Sequence, residues 1–166
     1  MPDICGLVLA AGRPLGDVLR TQLQANPANA SILPQAMAAI ESLEAGKHFD
    51  VAGMHPALMP LFAPQVQGFL INAVSYDTAK LIAAVSKPVL ILQGRRDIQV
   101  GVADAERLKE AAPKAELVLL PDANHVLKTV ASDDLRVNAA TYADPSLPLA
   151  QGVVEVIATF VAAVSK

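Results

Sequence analysis

The chain mixes short, unbroken apolar runs with longer stretches in which apolar residues recur every three or four positions. Three runs are of the first kind: Ile4-Cys5-Gly6-Leu7-Val8-Leu9-Ala10, Val89-Leu90-Ile91-Leu92 and Leu117-Val118-Leu119-Leu120. They are too short for helices and rich in Val, Ile and Leu, which is how strands buried on both faces read. Between the second and third, residues 103–112 set Ala105, Leu108, Ala111 and Ala112 among Asp104, Glu106, Arg107, Lys109 and Glu110. That is the pattern of an amphipathic helix. Strand, helix and strand predict a right-handed βαβ unit with parallel strands. The loops after both strands then open on one edge of the sheet, where open α/β sheets place their chemistry.

The second kind of pattern fills most of the remaining chain. Leu15, Val18, Leu19 and Leu23 share a helical face that Asn26-Pro27 interrupts. Ile32, Leu33, Ala36, Met37, Ile40 and Leu43 line a helix over residues 31–44, with Gly46 placed to cap it. Residues 47–64 hold Gly53, Pro56, Pro60 and Pro64 and no period, as in a loop with a short helical turn. A helical pattern with Phe69 and Leu70 returns over residues 66–74. Another short helix runs to Val85, with Asp77 as its N-cap. After the third strand come Ser132-Asp133-Asp134 and a polar stretch, and residues 141–149 read as an extended loop. A last helix starts at Gln151 or Gly152 and ends at Ser165. Its broad face of Val153, Val156, Ile157, Phe160, Val161 and Val164 is suited to covering a sheet. The expectation is an α/β fold: one domain over residues 1–166, about three parallel strands with flanking helices, and a helical insertion at 15–75.

Composition narrows the function. The 166 residues are 53% hydrophobic and 17% charged, with no Trp, so the chain must bury a sizeable core. No run reaches the roughly 18 apolar residues of a membrane span, and the longest stretch, Val153–Val164, is broken by Glu155. Met1-Pro2-Asp3 has no basic start and no cleavage signature follows it, so no secretory signal is expected. The single cysteine rules out an internal disulfide and fits a reducing, cytoplasmic setting. A net charge of −3 argues against a nucleic-acid partner. No Cys, His or carboxylate cluster has metal-ligand spacing, so neither a metal nor another cofactor is expected. Gly-x-Gly-x-x-Gly is absent, which excludes a dinucleotide site. The run Val8-Leu9-Ala10-Ala11-Gly12-Arg13 is similar to the phosphate-holding loop of sugar-nucleotide transferases. That loop continues with another small residue, an Arg and a Lys. Here Pro14 and Leu15 follow, and the first Lys is Lys47.

Candidate chemistry sits in the turns after the second and third runs, Gln93-Gly94-Arg95-Arg96-Asp97 and Asp122-Ala123-Asn124-His125. This arrangement resembles the C-terminal half of an α/β-hydrolase, above all the single-domain serine esterases and peptidases. Those carry strand, Gly-x-x-Asp, helix, strand and Asn-His in this order. Nearly the whole chain takes part in the resemblance, and Gly12-Arg13-Pro14-Leu15 looks like the turn after the family's nucleophile helix. The resemblance implies that Asp97 is the acid that orients a catalytic histidine and that His125 is the base. Asp122 is the alternative acid, and Asn124 is expected to shape the turn. Arg95 and Arg96 belong to a solvated turn or touch a negatively charged substrate. His48 and His55 read as ordinary polar residues.

The third member of such a triad is missing. No Gly-x-Ser-x-Gly or Gly-x-Cys-x-Gly occurs, and none of Ser31, Ser42, Ser75, Ser86, Ser132, Ser146 and Ser165 sits between glycines at a strand-to-helix turn. The resemblance implies that the nucleophile and the oxyanion donors lie before residue 1. It makes the chain a truncated hydrolase, inactive by itself, whose complete form cleaves esters or related acyl bonds. It also makes the 15–75 insertion a lid. Met54, Leu58, Met59, Leu61, Phe62 and Phe69 would then line an apolar acyl pocket, or simply pack a core. A strand at Ile4 to Ala10 with an open edge invites self-association. The competing reading is a non-catalytic hydrolase remnant that serves as a protein-interaction module.

Overall fold

A computed structural model describes residues 4–132 and 134–165. Residues 1–3, read above as lacking a secretory signal, lie outside them, as do Asp133 and Lys166. In chain order the elements are β1 (Leu7–Ala10), α1 (Leu15–Ala25), α2 (Leu33–Glu44), α3 (Met59–Phe62), α4 (Pro64–Val74), α5 (Thr78–Ala83), β2 (Val89–Gly94), α6 (Val102–Ala111), β3 (Glu116–Leu120), α7 (Leu135–Ala140) and α8 (Val153–Val164). Two compact units emerge: Pro14–Asp77, which is helical, and a sheet-bearing unit made of the residues on either side of it.

The sheet has three parallel strands in the order β1-β2-β3. Every residue of central β2 is buried. Val89 and Ile91 pack with Ile82 of α5 and with Ala105 and Leu108 of α6. Leu92 packs in a second cluster with Leu120, Ala123, Ala150 and Val153, at the start of α8. Successive residues of a strand face opposite ways. A run without polar alternation is therefore what a strand covered on both faces requires.

β1 departs from its expected burial. The strand covers Leu7–Ala10 and, among the described residues, pairs with β2 alone, and Leu7 and Val8 stay 39% and 40% exposed. An apolar run reports what a strand could bury, and an edge position leaves one side uncovered whatever its composition. Gly6, just before it, lies against Phe160 and Val164 of α8.

Residues 135–143 depart more sharply. In place of the expected polar stretch, read as an extended loop from residue 141, they form α7 and a 3-10 turn, Thr141–Ala143. Asp134 caps α7, its Oδ1 accepting from Arg136 N at 2.8 Å and Val137 N at 3.1 Å. A side-chain acceptor at this position satisfies N–H groups that a helix start leaves open.

In the Pro14–Asp77 unit, α1, α2, α3 and the chain before α3 enclose Leu23, Ile32, Ala36, Ala39, Ile40, Leu43, Leu58 and Phe62. Gly46 ends α2 at φ +72°, with Gly46 N donating to Leu43 O and Lys47 N to Ser42 O, both at 2.9 Å. That left-handed step is a common helix ending and suits glycine. Among the described residues no single helix is long and apolar enough to cross a membrane.

Candidate active site

The pairing of Gly94 with Leu120 brings the C-terminal ends of β2 and β3 level. The chain therefore leaves both strands at one rim. After β2 it turns so tightly against the next loop that Arg95 N donates to Leu120 O at 2.9 Å and Arg96 N to Ala123 O at 3.0 Å. A Cβ at Gly94 would collide with the Ala123 carbonyl oxygen and stand 3.0 Å from Asn124 O. Glycine is needed here for the close approach of two backbones.

This turn buries Asp97, whose side chain is 1% exposed. Its Oδ1 accepts from Gln99 N at 2.7 Å and Val100 N at 2.9 Å. Its Oδ2 faces His125 Nδ1 at 2.9 Å and Gln93 Nε2 at 3.3 Å. An ionised carboxylate only accepts, so the imidazole carries its proton on Nδ1 and donates it to Asp97. In the neutral form of the ring Nε2 then carries the lone pair. Among the described residues no hydrogen bond reaches Nε2, and the His125 side chain is 30% exposed. The pair thus has a buried, oriented acid and an accessible base.

The other sequence candidates fall elsewhere. Asp122 is exposed and makes no bond to His125. Arg95 is exposed and Arg96 half-buried. Arg13 pairs with Asp104 at 3.5 Å, tying the chain after β1 to α6. His55 caps a 3-10 turn, its Nδ1 accepting from Ala57 N at 3.2 Å, and His48 lies in the same helical unit. Five of the serines have other partners, Ser132 Oγ accepting from Asp134 N at 3.1 Å. Ser42, Ser75 and Ser165 donate to the carbonyls of Ala38, Asn72 and Val161, and Ser146 donates to Asp144. Among the described residues no serine bonds to His125, and no group of three His, Cys, Asp or Glu side chains could hold a metal ion.

Of the residues that surround the pair, the sequence reading gave a role to Asn124 but none to Gln93, Leu127 or Tyr142. Gln93 is fully buried at the end of β2, and its Nε2 also donates to Val100 O at 2.9 Å and Gly94 O at 3.0 Å. Its Oε1 is buried without a partner among the described residues. Asn124, expected to shape the histidine turn, is fully buried, and its Oδ1 accepts from Lys128 N at 3.0 Å and Val126 N at 3.2 Å. Within that turn Leu127 takes a left-handed conformation at φ +58°, uncommon for a branched side chain. Tyr142 stacks on the imidazole, ring centroids 6.3 Å apart and planes 23° from parallel. Burial pushes its phenol above the ordinary value; a polar contact with Gln99 works against this and the Asp97 carboxylate adds to it. The spacing Asn138, Thr141, Tyr142 under an Asp cap was the one sequence signal for this wall.

No protein-family model matches the chain, and no curated protein matches it. Solved structures do. A thermophilic esterase from Thermogutta terrifontis is 18% identical, covering 98% of this chain and 57% of its own, at a TM-score of 0.46. An esterase from Rhodococcus sp. ECU1013 is also 18% identical, over 96% of this chain and 56% of its own, at 0.42. A hydrolase from Pseudomonas aeruginosa PA01 is 22% identical, over 72% and 48%, at 0.36. The chain spans about half the length of these structures. Among the described residues its own three parallel strands, with helices packed on both faces, form the α/β sheet expected from the sequence.

Proposed function

We propose that the chain carries the acid–base half of a serine-hydrolase site acting on esters or related acyl bonds. The observation behind this reading is the 2.9 Å contact from buried Asp97 to His125, which leaves Nε2 open. In the reaction His125 Nε2 takes the proton of an attacking hydroxyl as that oxygen bonds to the acyl carbon. The imidazolium is held by Asp97, which orients it and balances its charge without taking the proton. Nε2 then returns the proton to the departing alkoxide as the old ester bond breaks. Water repeats the cycle on the acyl-enzyme. The hydroxyl and the oxyanion donors come from polypeptide outside these 166 residues, because no described hydroxyl engages His125. The chain alone is then inactive.

The test is hydrolysis of p-nitrophenyl acetate and butyrate by the purified chain beside His125→Ala, with fluorophosphonate labelling in parallel. The expected result is no turnover above the variant and no serine adduct. Turnover that depends on His125 would reveal a nucleophile within the chain and overturn the half-site.

The open side of β1 supports a second reading, a remnant that binds through its sheet edge. Ile4 to Gly12 carries no charge, and unpaired edges without charge or proline template further strands. Self-association is expected in light scattering over a concentration series, and Val8→Lys should suppress it. A wild-type chain that stays monomeric at high concentration would remove this reading.

A further inference from the structure

We infer that residues 135–143 form a clasp that sets the geometry of the Asp97–His125 pair, with Asn138 and Thr141 as positioning residues. This rests on the acid–base reading above.

Asn138, Thr141 and Tyr142 stand at i, i+3 and i+4 on α7 and the 3-10 turn after it, a spacing that puts three side chains on one face. Each reaches a different part of the site. Asn138 Nδ2 donates to Arg96 O at 2.7 Å, in the turn that carries the acid. Asn138 Oδ1 accepts from Asn124 Nδ2 at 3.3 Å, in the turn that carries the histidine. The same Asn124 nitrogen donates to Thr141 Oγ1 at 2.7 Å, and that hydroxyl donates to Asn138 O at 2.7 Å. Tyr142 covers the imidazole face.

Both amides are shut away from water, Asn124 fully and Asn138 at 2% exposure. Buried amides are costly unless bonded, and these two bond mainly to the acid turn, the histidine turn and each other. One carboxamide, Asn138, therefore bridges the two loops whose separation fixes the Asp97–His125 distance. Asn124 relays the constraint, since its Oδ1 holds the amides on both sides of left-handed Leu127. Lys128 closes the clasp from the far side, its Nζ donating to Thr141 O at 3.0 Å and to Asp144 O. β2 and β3 bring the two loops to the same rim. The clasp sets their last fraction of an ångström, which decides whether Nδ1 meets Oδ2.

The experiment is NMR of the full 166-residue chain with ¹⁵N-labelled histidine, the His125 signals assigned with His125→Gln. In the wild type a hydrogen-bonded Nδ1–H proton, shifted downfield and lost in Asp97→Asn, is expected. Asn138→Ala and Thr141→Val should each lose that signal while the signals of His48 and His55 and the backbone spectrum remain. Thr141→Ser, which keeps the hydroxyl, should retain it. If Asn138→Ala fails to fold, the Thr141→Val and Thr141→Ser pair decides alone. An unchanged His125 signal in folded Asn138→Ala or Thr141→Val overturns the clasp and leaves the acid–base pair standing. A wild type without the Asp97-dependent signal overturns the pair itself, and the clasp with it.

Discussion

Each unit buries one glutamine, and the two are used differently. In the helical unit Gln67 is 1% exposed and fully bonded. Its Oε1 accepts from Phe49 N at 3.0 Å, and its Nε2 donates to Phe62 O at 3.0 Å and Phe49 O at 3.1 Å. All its partners are backbone, so it splints an irregular segment to the start of α4. Gln93, equally buried, donates to a carboxylate as well as to backbone and leaves its oxygen without a partner among the described residues. The difference teaches how to separate architecture from site among buried polar residues. A side chain satisfied wholly by backbone holds the chain in place. One that reaches the same carboxylate oxygen as a histidine, with an acceptor left over, belongs to the acid–histidine pair.

Replacing Gln67 by Leu gives the largest effect. It leaves Phe49 N and the carbonyls of Phe49 and Phe62 without partners in an apolar core. The expected loss is about 3 kcal/mol, since each buried group left unsatisfied costs roughly 1–3 kcal/mol and some regain water. Amide exchange of the buried α2 residues reads this locally. A loss under about 1 kcal/mol would deny Gln67 its structural role.

Gln93→Leu should cost less, about 2 kcal/mol, because it orphans the buried Val100 carbonyl but leaves Gly94 O the Asp97 amide and removes an acceptor that was itself unbonded. Its larger effect should fall on the site: Asp97 keeps the Gln99 and Val100 amides but loses the Gln93 contact on the oxygen that meets His125. Histidine NMR should show a shifted Nδ1–H signal in this variant and none in Gln67→Leu. Equal stability losses in both variants, with an unmoved histidine signal, would erase the contrast between the two glutamines.

That contrast also marks how far the sequence could be read. The runs at Val89 and Leu117 identified β2 and β3, and the helix between them placed Asp97 and His125 at one rim, because parallel strands joined by a helix permit little else. The clasp was not legible in the same way. Asn138, Thr141 and Tyr142 are ordinary loop residues until a helical turn aligns them, and that turn depends on Asp134 and on contacts to Arg96 and Asn124, distant in sequence. Gln93 was hidden for another reason: a strand-end glutamine reads as solvated unless the next loop is known to close over it. For β1 the open edge was legible but the exposure of Leu7 and Val8 was not, because composition records a strand's capacity for burial and position in the sheet decides whether it is used.

The smallest effect supplies the control. Arg20 and Glu44 form a two-pronged ion pair in the helical unit, at 2.5 and 2.6 Å, with side chains 27% and 34% exposed. The hydrogen bonds from Arg20 hold the Glu44 carboxyl below its ordinary value against the opposing effect of burial. A carboxyl depressed in the folded state adds stability above its unfolded value and loses it as pH falls through the folded one. Here the loss falls on the acid side of the ordinary carboxylate range. Partly exposed pairs contribute little, so Glu44→Gln should cost less than about 1 kcal/mol at neutral pH and flatten the decline in stability under acid. Salt should diminish the difference. A loss matching that of Gln67→Leu would mean that a charge pair at the surface holds this unit as firmly as a fully bonded buried amide. Buried polar bonding would then no longer separate architecture from surface decoration.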